Sequence, residues 1–435
     1  MSYICNMLKS KKLSYIILSV LVLFCAGIVL WSFMVLKGFS FEPEPFISKV
    51  QPWQSSDKEI LKDKIEKGKE FLYRMEDPDY HGFHKYYYAQ TDSLEERLHT
   101  VYSASIIYTF LYIYDYDKDE EILNHLDDWA GFLLSMQETD KNSPRYGAFS
   151  YSYFLDNEGK IRLPAGREKR YVVGTSALSI FTLLRLHEIT EEQKYLEAAI
   201  LAGDWIISMQ RQDGVVKPYT RHNGENWVYG NKLSLLYNGQ CLSALSKLYE
   251  ATKDKEYYDS AKKIADLFAS KYETAGRSYV VGEYRAKNPI SNTWLVMSLM
   301  DFYKAAKIDY YKDIIFELSS QIISNQMEDG RIDGAYSSSG NGWISEVMTD
   351  TYAFCLEQGP LTGGSGQADC EKYKQGALEI MKWIIARTYT KENSSSLPNP
   401  QKAEGGVFWN ISETYVRTDS VCHALNGYTR IMKYF

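Results

Sequence analysis

After about residue 55, apolar residues recur at i, i+3 and i+4, the spacing of helices that bury one face. Two kinds of helix alternate. One kind ends in a shared phrase: "DDWAGFLLSMQETD" closing at Asp140, "LAGDWIISMQRQDG" at Gly214 and "ELSSQIISNQMEDG" at Gly330. Each phrase holds Gln-x-x-Asp, as Gln137/Asp140, Gln210/Asp213 and Gln326/Asp329. Looser copies fill the gaps: "IEKGKEFLYRMEDPD", "AKKIADLFASKYETAG" and "ALEIMKWIIARTYTKE". The pattern predicts six such helices, about 55 to 70 residues apart.

The other kind is more apolar all round. Segments beginning near Thr100, Val172, Leu235, Asn292, Val347 and Asp419 belong to it, and several run into short polar turns such as "YDYDKDEEIL" and "YEATKDKEYY". Helices that are apolar on every side are buried, and helices with one charged face line a surface. The alternation therefore predicts an inner and an outer ring. Six hairpins close into an all-α (α/α)6 toroid, and an open helical solenoid is the alternative. The chain supplies an outer helix before the first inner one and an inner helix after the last outer one, an order that favours closure. Strand-like fragments in the long loops ("GAFSYSYF", "RSYVVGEY", "GGVFWN") predict short β-hairpins at the end where the inner helices begin.

A different pattern precedes the repeats. Leu13 to Leu36 carries no charge and is long enough to cross a bilayer as a helix. Lys9, Lys11 and Lys12 come before it. The positive-inside rule places the N-terminus in the cytoplasm and the rest outside. The expected organisation is a cytoplasmic tail (1–12), a transmembrane signal anchor (13–36), a linker (37–55) and the toroid (56–435).

Composition narrows the function. A net charge of −7 without a Lys/Arg cluster argues against nucleic acid. The 36 tyrosines and 9 tryptophans suit a sugar-binding cleft as well as the edges of a helical core. No HExxH, zinc-spaced Cys/His set, EF-hand loop, P-loop or G-x-S-x-G is present, so no metal or cofactor is expected. Cys355 and Cys370 flank a Gly-rich loop and could pair in an oxidising compartment. Cys241 and Cys422 read as buried thiols.

Candidate chemistry gathers where the inner helices start: "EERLHTVY", "REKRYVVG", "NKLSLLYNGQ", "GEYRAKNPISN", "GWISEVMTD" and "YVRTDSVCH". Arginines there meet an unfavourable helix dipole, so Arg97, Arg170, Arg285 and Arg417 call for carboxylates of the protein or an anionic ligand. His99, Tyr171, Tyr237, Asn238, Gln240, Glu346 and Tyr415 are further candidates for substrate binding. Glu346 with Asp350, and Asp419 with His423, are spaced to share a helix face.

From Leu235 to Phe435 the chain resembles the D-glucuronyl C5-epimerase family. The likeness is carried by "LLYNGQCLSALSKLYEATKDKEYYDSAKK", by "GEYRAKNPISN", and by Arg417-x-Asp419-x-x-x-His423 against the family's Arg-Trp-Asp-Tyr-x-x-x-His. The resemblance implies inversion at C5 of a uronic acid within a glycan, with tyrosines moving the proton and basic groups holding the carboxylate. It assigns Tyr284 as a catalytic tyrosine with Glu283 beside it, and Arg417, Asp419 and His423 as the frame of a second. At that second position stands Ser420, and Phe408 stands where the family has a further tyrosine. A serine hydroxyl is far less acidic than a phenol. A glycoside hydrolase or lyase on the same toroid, and a non-catalytic glycan-binding toroid, therefore stay open.

Overall fold

The computed structural model describes residues 57–359, 367–410 and 412–435. The expected tail, anchor and linker lie outside the described residues. No helix among the described residues is long and apolar enough to cross a membrane.

Twelve long helices are found among the described residues. The odd-numbered ones are α1 (Asp57–Tyr73), α3 (Glu121–Ser135), α5 (Gln193–Ser208), α7 (Lys255–Thr274), α9 (Asp309–Ser324) and α11 (Gln367–Ile385). The even-numbered ones are α2 (Thr100–Asp117), α4 (Val173–Thr190), α6 (Leu235–Thr252), α8 (Ile290–Ala306), α10 (Ser338–Gln358) and α12 (Thr418–Ile431). Each even helix packs on the next, and α12 packs on α2, so the inner ring is closed. The outer helix α1 also packs on α12 across the seam. The described residues form an (α/α)6 toroid.

The turn from an inner to the next outer helix is built alike four times. Lys118, Glu191, Lys253 and Lys307 end α2, α4, α6 and α8 in the left-handed conformation, with φ of 59°, 59°, 61° and 51°. Each donates its N–H to the carbonyl four residues back. That satisfies an orphan carbonyl and reverses the chain within a few residues.

The repeated glutamine now has a reason. Nε2 of Gln137 donates to the carbonyls of Gly147 and Ala198, that of Gln210 to Gly214 and Ser260, and that of Gln326 to Gly330 and Gly376. Each glutamine thus fastens its own loop to the next outer helix. The glycine that follows in "QDG" and "EDG" is fixed by contact as well as by φ. A Cβ on Gly214 would lie 2.5 Å from the Lys263 oxygen, and one on Gly330 would lie 2.3 Å from that of Glu379. From the other side, the inner helices reach into the same loops. Asn238, Asn292 and Asn341 accept the N–H groups of Val216, Val280 and Ile332, while Ser103 and Ser176 accept those of Phe83 and Phe149.

One helix start departs from expectation. The fifth inner helix begins at Ser338, nine residues before Val347. "SSGNGW" reads as a turn by propensity, but Ser337 caps the helix by accepting the Gly340 N–H, and Gly340 and Gly342 sit tight against Ile290 and His423. Close packing overrides propensity here. Three small antiparallel sheets cover the mouth, in strand orders β2-β1-β9, β3-β4-β5 and β6-β7-β8. Their strands are β1 (Tyr86–Tyr88), β2 (Ser93–Leu94), β3 (Arg97–His99), β4 (Ser152–Leu155), β5 (Ile161–Arg162), β6 (Arg170–Val172), β7 (Tyr219–His222), β8 (Trp227–Tyr229) and β9 (Val416–Arg417). Cys355 and Cys370 are disulfide-bonded, and Cys241 and Cys422 are buried thiols.

Candidate functional site

A cleft of about 240 Å³ opens at the N-terminal ends of the inner helices. Its wall on α10 and α12 carries a buried polar cluster. Glu346, about two turns inside α10 rather than just before its start, is 3% exposed. It accepts from His423 Nδ1 at 2.9 Å and from Asn426 Nδ2 at 3.4 Å, and forms an ion pair with Arg430 Nη2 at 2.9 Å. Arg430 also pairs with Asp350. Burial opposes the charge on Glu346, but Arg430 first, then His423 and Asn426, hold its carboxyl below the usual carboxylate range. Burial acts more fully on Asp350, which is pushed up to about 6 against the pull of Arg430. With Nδ1 engaged by a carboxylate, His423 presents Nε2 as its free nitrogen on the cleft wall.

One turn above lies the frame expected from the sequence. Arg417 Nε donates to Asp419 Oδ1 at 2.6 Å and Nη2 to Oδ2 at 2.5 Å, a bidentate pair. Ser339 Oγ donates to the same carboxylate at 2.9 Å. Desolvation works against Asp419 too, and Arg417 overcomes it, so its carboxyl stays below its ordinary value. The guanidinium of Arg417 lies 3.9 Å over the Trp409 ring. Trp294 and Trp343 stack at 3.9 Å to form the adjoining aromatic wall, and Trp343 touches the His423 ring.

Three steps around the ring from α12 stands α6. Tyr237 and Gln240 line the cleft from it. Burial pushes the Tyr237 phenol up to about 12, so it is protonated at neutral pH. Tyr284 follows in the loop after α7. Its ring lies 6.1 Å from that of Tyr237, and its hydroxyl lies 3.5 Å from Arg170 Nη2. Arg285 sits against both rings, at 5.6 Å from Tyr237 and 5.9 Å from Tyr284. Lys287 and Lys85 complete the rim. Burial lowers both lysines, and the positive charge of Arg417 lowers them further. None of Lys85, Arg170, Arg285 and Lys287 pairs with a carboxylate among the described residues.

The structure thus brings together Tyr237, Gln240, Arg285, Glu346, Arg417, Asp419 and His423, with Arg170 and Tyr284 at the rim. It places other candidates elsewhere. Arg97 is exposed on β3, stacked over Phe154 opposite Arg162. The hydroxyl of Tyr171 donates to Glu138, away from the cleft. The Asn238 side chain is wholly buried and spent on the backbone of Val216 and Ser234. His99 is 2% exposed against Glu95, and burial lowers its pKa. Glu283 is exposed. Tyr415 stands outside the cleft, stacked on Trp409. Ser420 is fully buried, and its hydroxyl has no partner. Phe408 packs on Tyr389.

Sequence reasoning missed Lys85, Lys287, Trp294, Trp343, Trp409 and Arg430. Lys287, Trp343 and Trp409 lay within quoted phrases and could have been found. Arg430, at the far end of α12, gave no signal beyond a cation inside an apolar stretch. No group of His, Cys, Asp and Glu able to hold a metal occurs among the described residues.

Residues 173–288 match the model of glycosyl hydrolase family 76. No curated protein matches. Solved structures share the fold at low identity. A cellobiose 2-epimerase from Bacillus thermoamylovorans B4167 superposes with a TM-score of 0.68 at 12% identity, covering 88% of this chain and 100% of that one. An unsaturated glucuronyl hydrolase from Streptococcus agalactiae gives 0.62 at 13%, covering 91% and 97%. An α-1,6-mannanase of glycosyl hydrolase family 76 from Salegentibacter sp. HEL1_6, in a variant inactivated at two successive aspartates, gives 0.58 at 14%, covering 86% and 100%. The chain therefore has the (α/α)6 architecture of carbohydrate-active epimerases and hydrolases.

Proposed function

We propose that the protein is an epimerase of a carboxylate-bearing sugar, inverting the carbon α to the carboxylate within a uronate-containing glycan. The observation that carries this reading is the opposition of His423 on α12 and Tyr237 on α6, below a rim of cations without carboxylate partners. Inversion needs a proton removed from one face of a carbon and another delivered to the opposite face. His423, with Nδ1 held by ionised Glu346, offers Nε2 as the base. The C–H electron pair moves into the carboxylate as an enediolate, which Arg285, Lys287 and Arg170 stabilise. Tyr237, kept protonated by burial, donates its O–H proton to the other face, and solvent restores both groups. Tyr284, between Arg170 and Arg285, helps seat the carboxylate. Arg417, tied to Asp419 and stacked on Trp409, shapes the wall beside the base.

A glycoside hydrolase is the second reading, favoured by the family 76 match. It needs a carboxylic acid able to protonate the leaving oxygen. The two carboxylates lining the cleft, Glu346 and Asp419, are both held ionised by arginine. The adjacent aspartates of this chain, Asp127 and Asp128, lie exposed on outer helix α3. Both facts weigh against that chemistry. The uncharged stretch 13–36 supports tethering of the enzyme at the outer face of a membrane.

Uronate oligosaccharides incubated with the protein in deuterated water provide the test. The expected result is deuterium at C5 without chain cleavage, abolished by His423→Asn and by Tyr237→Phe. New reducing ends would establish the hydrolase, and an unsaturated product a lyase. Exchange that survives His423→Asn would overturn the assignment of the base.

A further inference from the structure

The enclosed part of the cleft is small. At about 240 Å³ it falls below the roughly 300–1,000 Å³ of sites that engulf a drug-sized ligand. It holds little more than one sugar ring, so the neighbouring sugars of any longer substrate must lie on the mouth. The β2-β1-β9 sheet offers a surface for them. Tyr86 pairs with Arg417, and Tyr87 pairs with Val416. By the two-residue alternation of a strand, Tyr86, Tyr88 and Arg417 share one face, while Tyr87 points into the core and is fully buried. Just before β9, Tyr415 falls on the same face.

The rings on that face touch in series. Trp409 lines the cleft and is stacked by Arg417. Tyr415 lies parallel to Trp409, 6.1 Å away at 15°. Tyr86 and Tyr88 meet Tyr415 at 5.3 and 6.2 Å. Tyr88 ends the series and is 39% exposed. Lys85 stands at the junction with the cleft, 4.4 Å over the Tyr86 ring. A row of amphipathic rings, each with a hydroxyl or N–H at its edge, suits the apolar faces and polar rims of successive sugars.

Resting on the reading of the cleft as a uronate site, we infer that Trp409, Tyr415, Tyr86 and Tyr88 form a secondary platform for the sugars flanking the reacting one, so that the substrate is an oligo- or polysaccharide rather than a free sugar. The row is continuous with the cleft, and Lys85, which pairs with no carboxylate among the described residues, matches the carboxylates of such a chain. Arg285 and Tyr284 occupy the opposite side of the mouth and hold the reacting sugar instead.

Equilibrium binding of a ladder of uronate oligosaccharides to the full-length protein, by calorimetry, tests this without requiring turnover. Wild-type affinity is expected to rise from disaccharide to hexasaccharide. Tyr88→Ala and Tyr415→Ala are each expected to weaken hexasaccharide binding about five- to tenfold and to leave the disaccharide unchanged, as loss of one aromatic contact predicts. Tyr229→Ala, an exposed tyrosine on another sheet, is the control and should change nothing. A flat ladder, or a hexasaccharide affinity untouched by Tyr88→Ala, would overturn the platform. A parallel ladder with carboxyl groups reduced to alcohols separates the two ideas. Equal length dependence on the neutral ladder keeps the platform and removes the uronate reading. Absence of binding by both ladders overturns the platform, while deuterium exchange into a monomeric uronate would still uphold the epimerase.

Discussion

Replacing Glu346 by Gln probes the buried cluster with almost no change of shape. The carboxylate accepts a close hydrogen bond from His423 Nδ1 and forms an ion pair with Arg430 Nη2, both at 2.9 Å. An amide oxygen can keep one of them as an ordinary bond of about half the strength. Charge-assisted contacts contribute about 1.5–3 kcal/mol each, so losing one and halving the other costs about 2–4 kcal/mol. The cost stays toward the lower end of the about 3–5 kcal/mol of a wholly orphaned buried charge, because Arg430 keeps Asp350. For a domain of this size that is roughly a 3–5 °C fall in Tm by calorimetry. The pH dependence gives a second check. The folded-state pKa of Glu346 lies below the 4.5 of the free side chain, so the unfolded chain binds the proton more readily in the interval between. Its stabilisation is fully present above about pH 4.5 and is lost as pH falls through the folded value. Wild type and variant should therefore differ most at neutral pH and converge under acid. The variant should also exchange deuterium at least about a hundredfold more slowly, because the base has lost the anion that fixes its tautomer. A variant with unchanged Tm at pH 7 and unchanged exchange rate would refute the cluster's role in both stability and catalysis.

Asn238→Ala should destabilise the fold by about 2–4 kcal/mol in urea unfolding, since it strands the Val216 N–H and carbonyl in a buried loop. A loss under about 0.5 kcal/mol would show that the loop finds other partners. Gly174→Ala would place a Cβ 2.2 Å from Gln240 Oε1 and 2.5 Å from the Tyr237 ring. It should lower the exchange rate about tenfold while costing about 1–3 kcal/mol of stability, and an unchanged rate would place the reacting carbon away from Tyr237. Replacing both Cys355 and Cys370 by Ser opens a loop of 15 residues' separation and should cost about 3 kcal/mol. Superimposable unfolding curves for oxidised wild type and the double variant would contradict that.

Helix order and ring closure could be read from the alternation of one-faced and all-round apolar segments, because that periodicity follows directly from burial. The Gln-x-x-Asp phrase announced a repeat, but its purpose needed the neighbour: Gln210 donates to Ser260, fifty residues away. The start of α10 was illegible because Ser338, Ser339 and Gly340 are poor helix formers whose helicity comes from packing. Asp419 and His423 were placed on one face of a helix by their spacing, and both line the cleft. Asn238 shows the converse. A polar residue at a helix start reads alike whether it meets a ligand or a loop, and only its three backbone bonds decide. The partnership of Arg430 with Glu346 joins residues eighty-four positions apart, beyond what periodicity can show.

The latches made by Gln137, Gln210 and Gln326 sit outside the cleft and use backbone carbonyls as their counterparts. Assembly of the ring is thereby insulated from the identity of the side chains at its mouth. Loops there can be lengthened, shortened or re-sequenced while the adhesive between neighbouring repeats is untouched. The architecture amounts to a socket with interchangeable inserts, and altered sugar preference should be reachable by exchanging rim loops wholesale. Removing the repeat that carries α5, in contrast, would break two latches at once, so the number of repeats is the part of the design least free to drift.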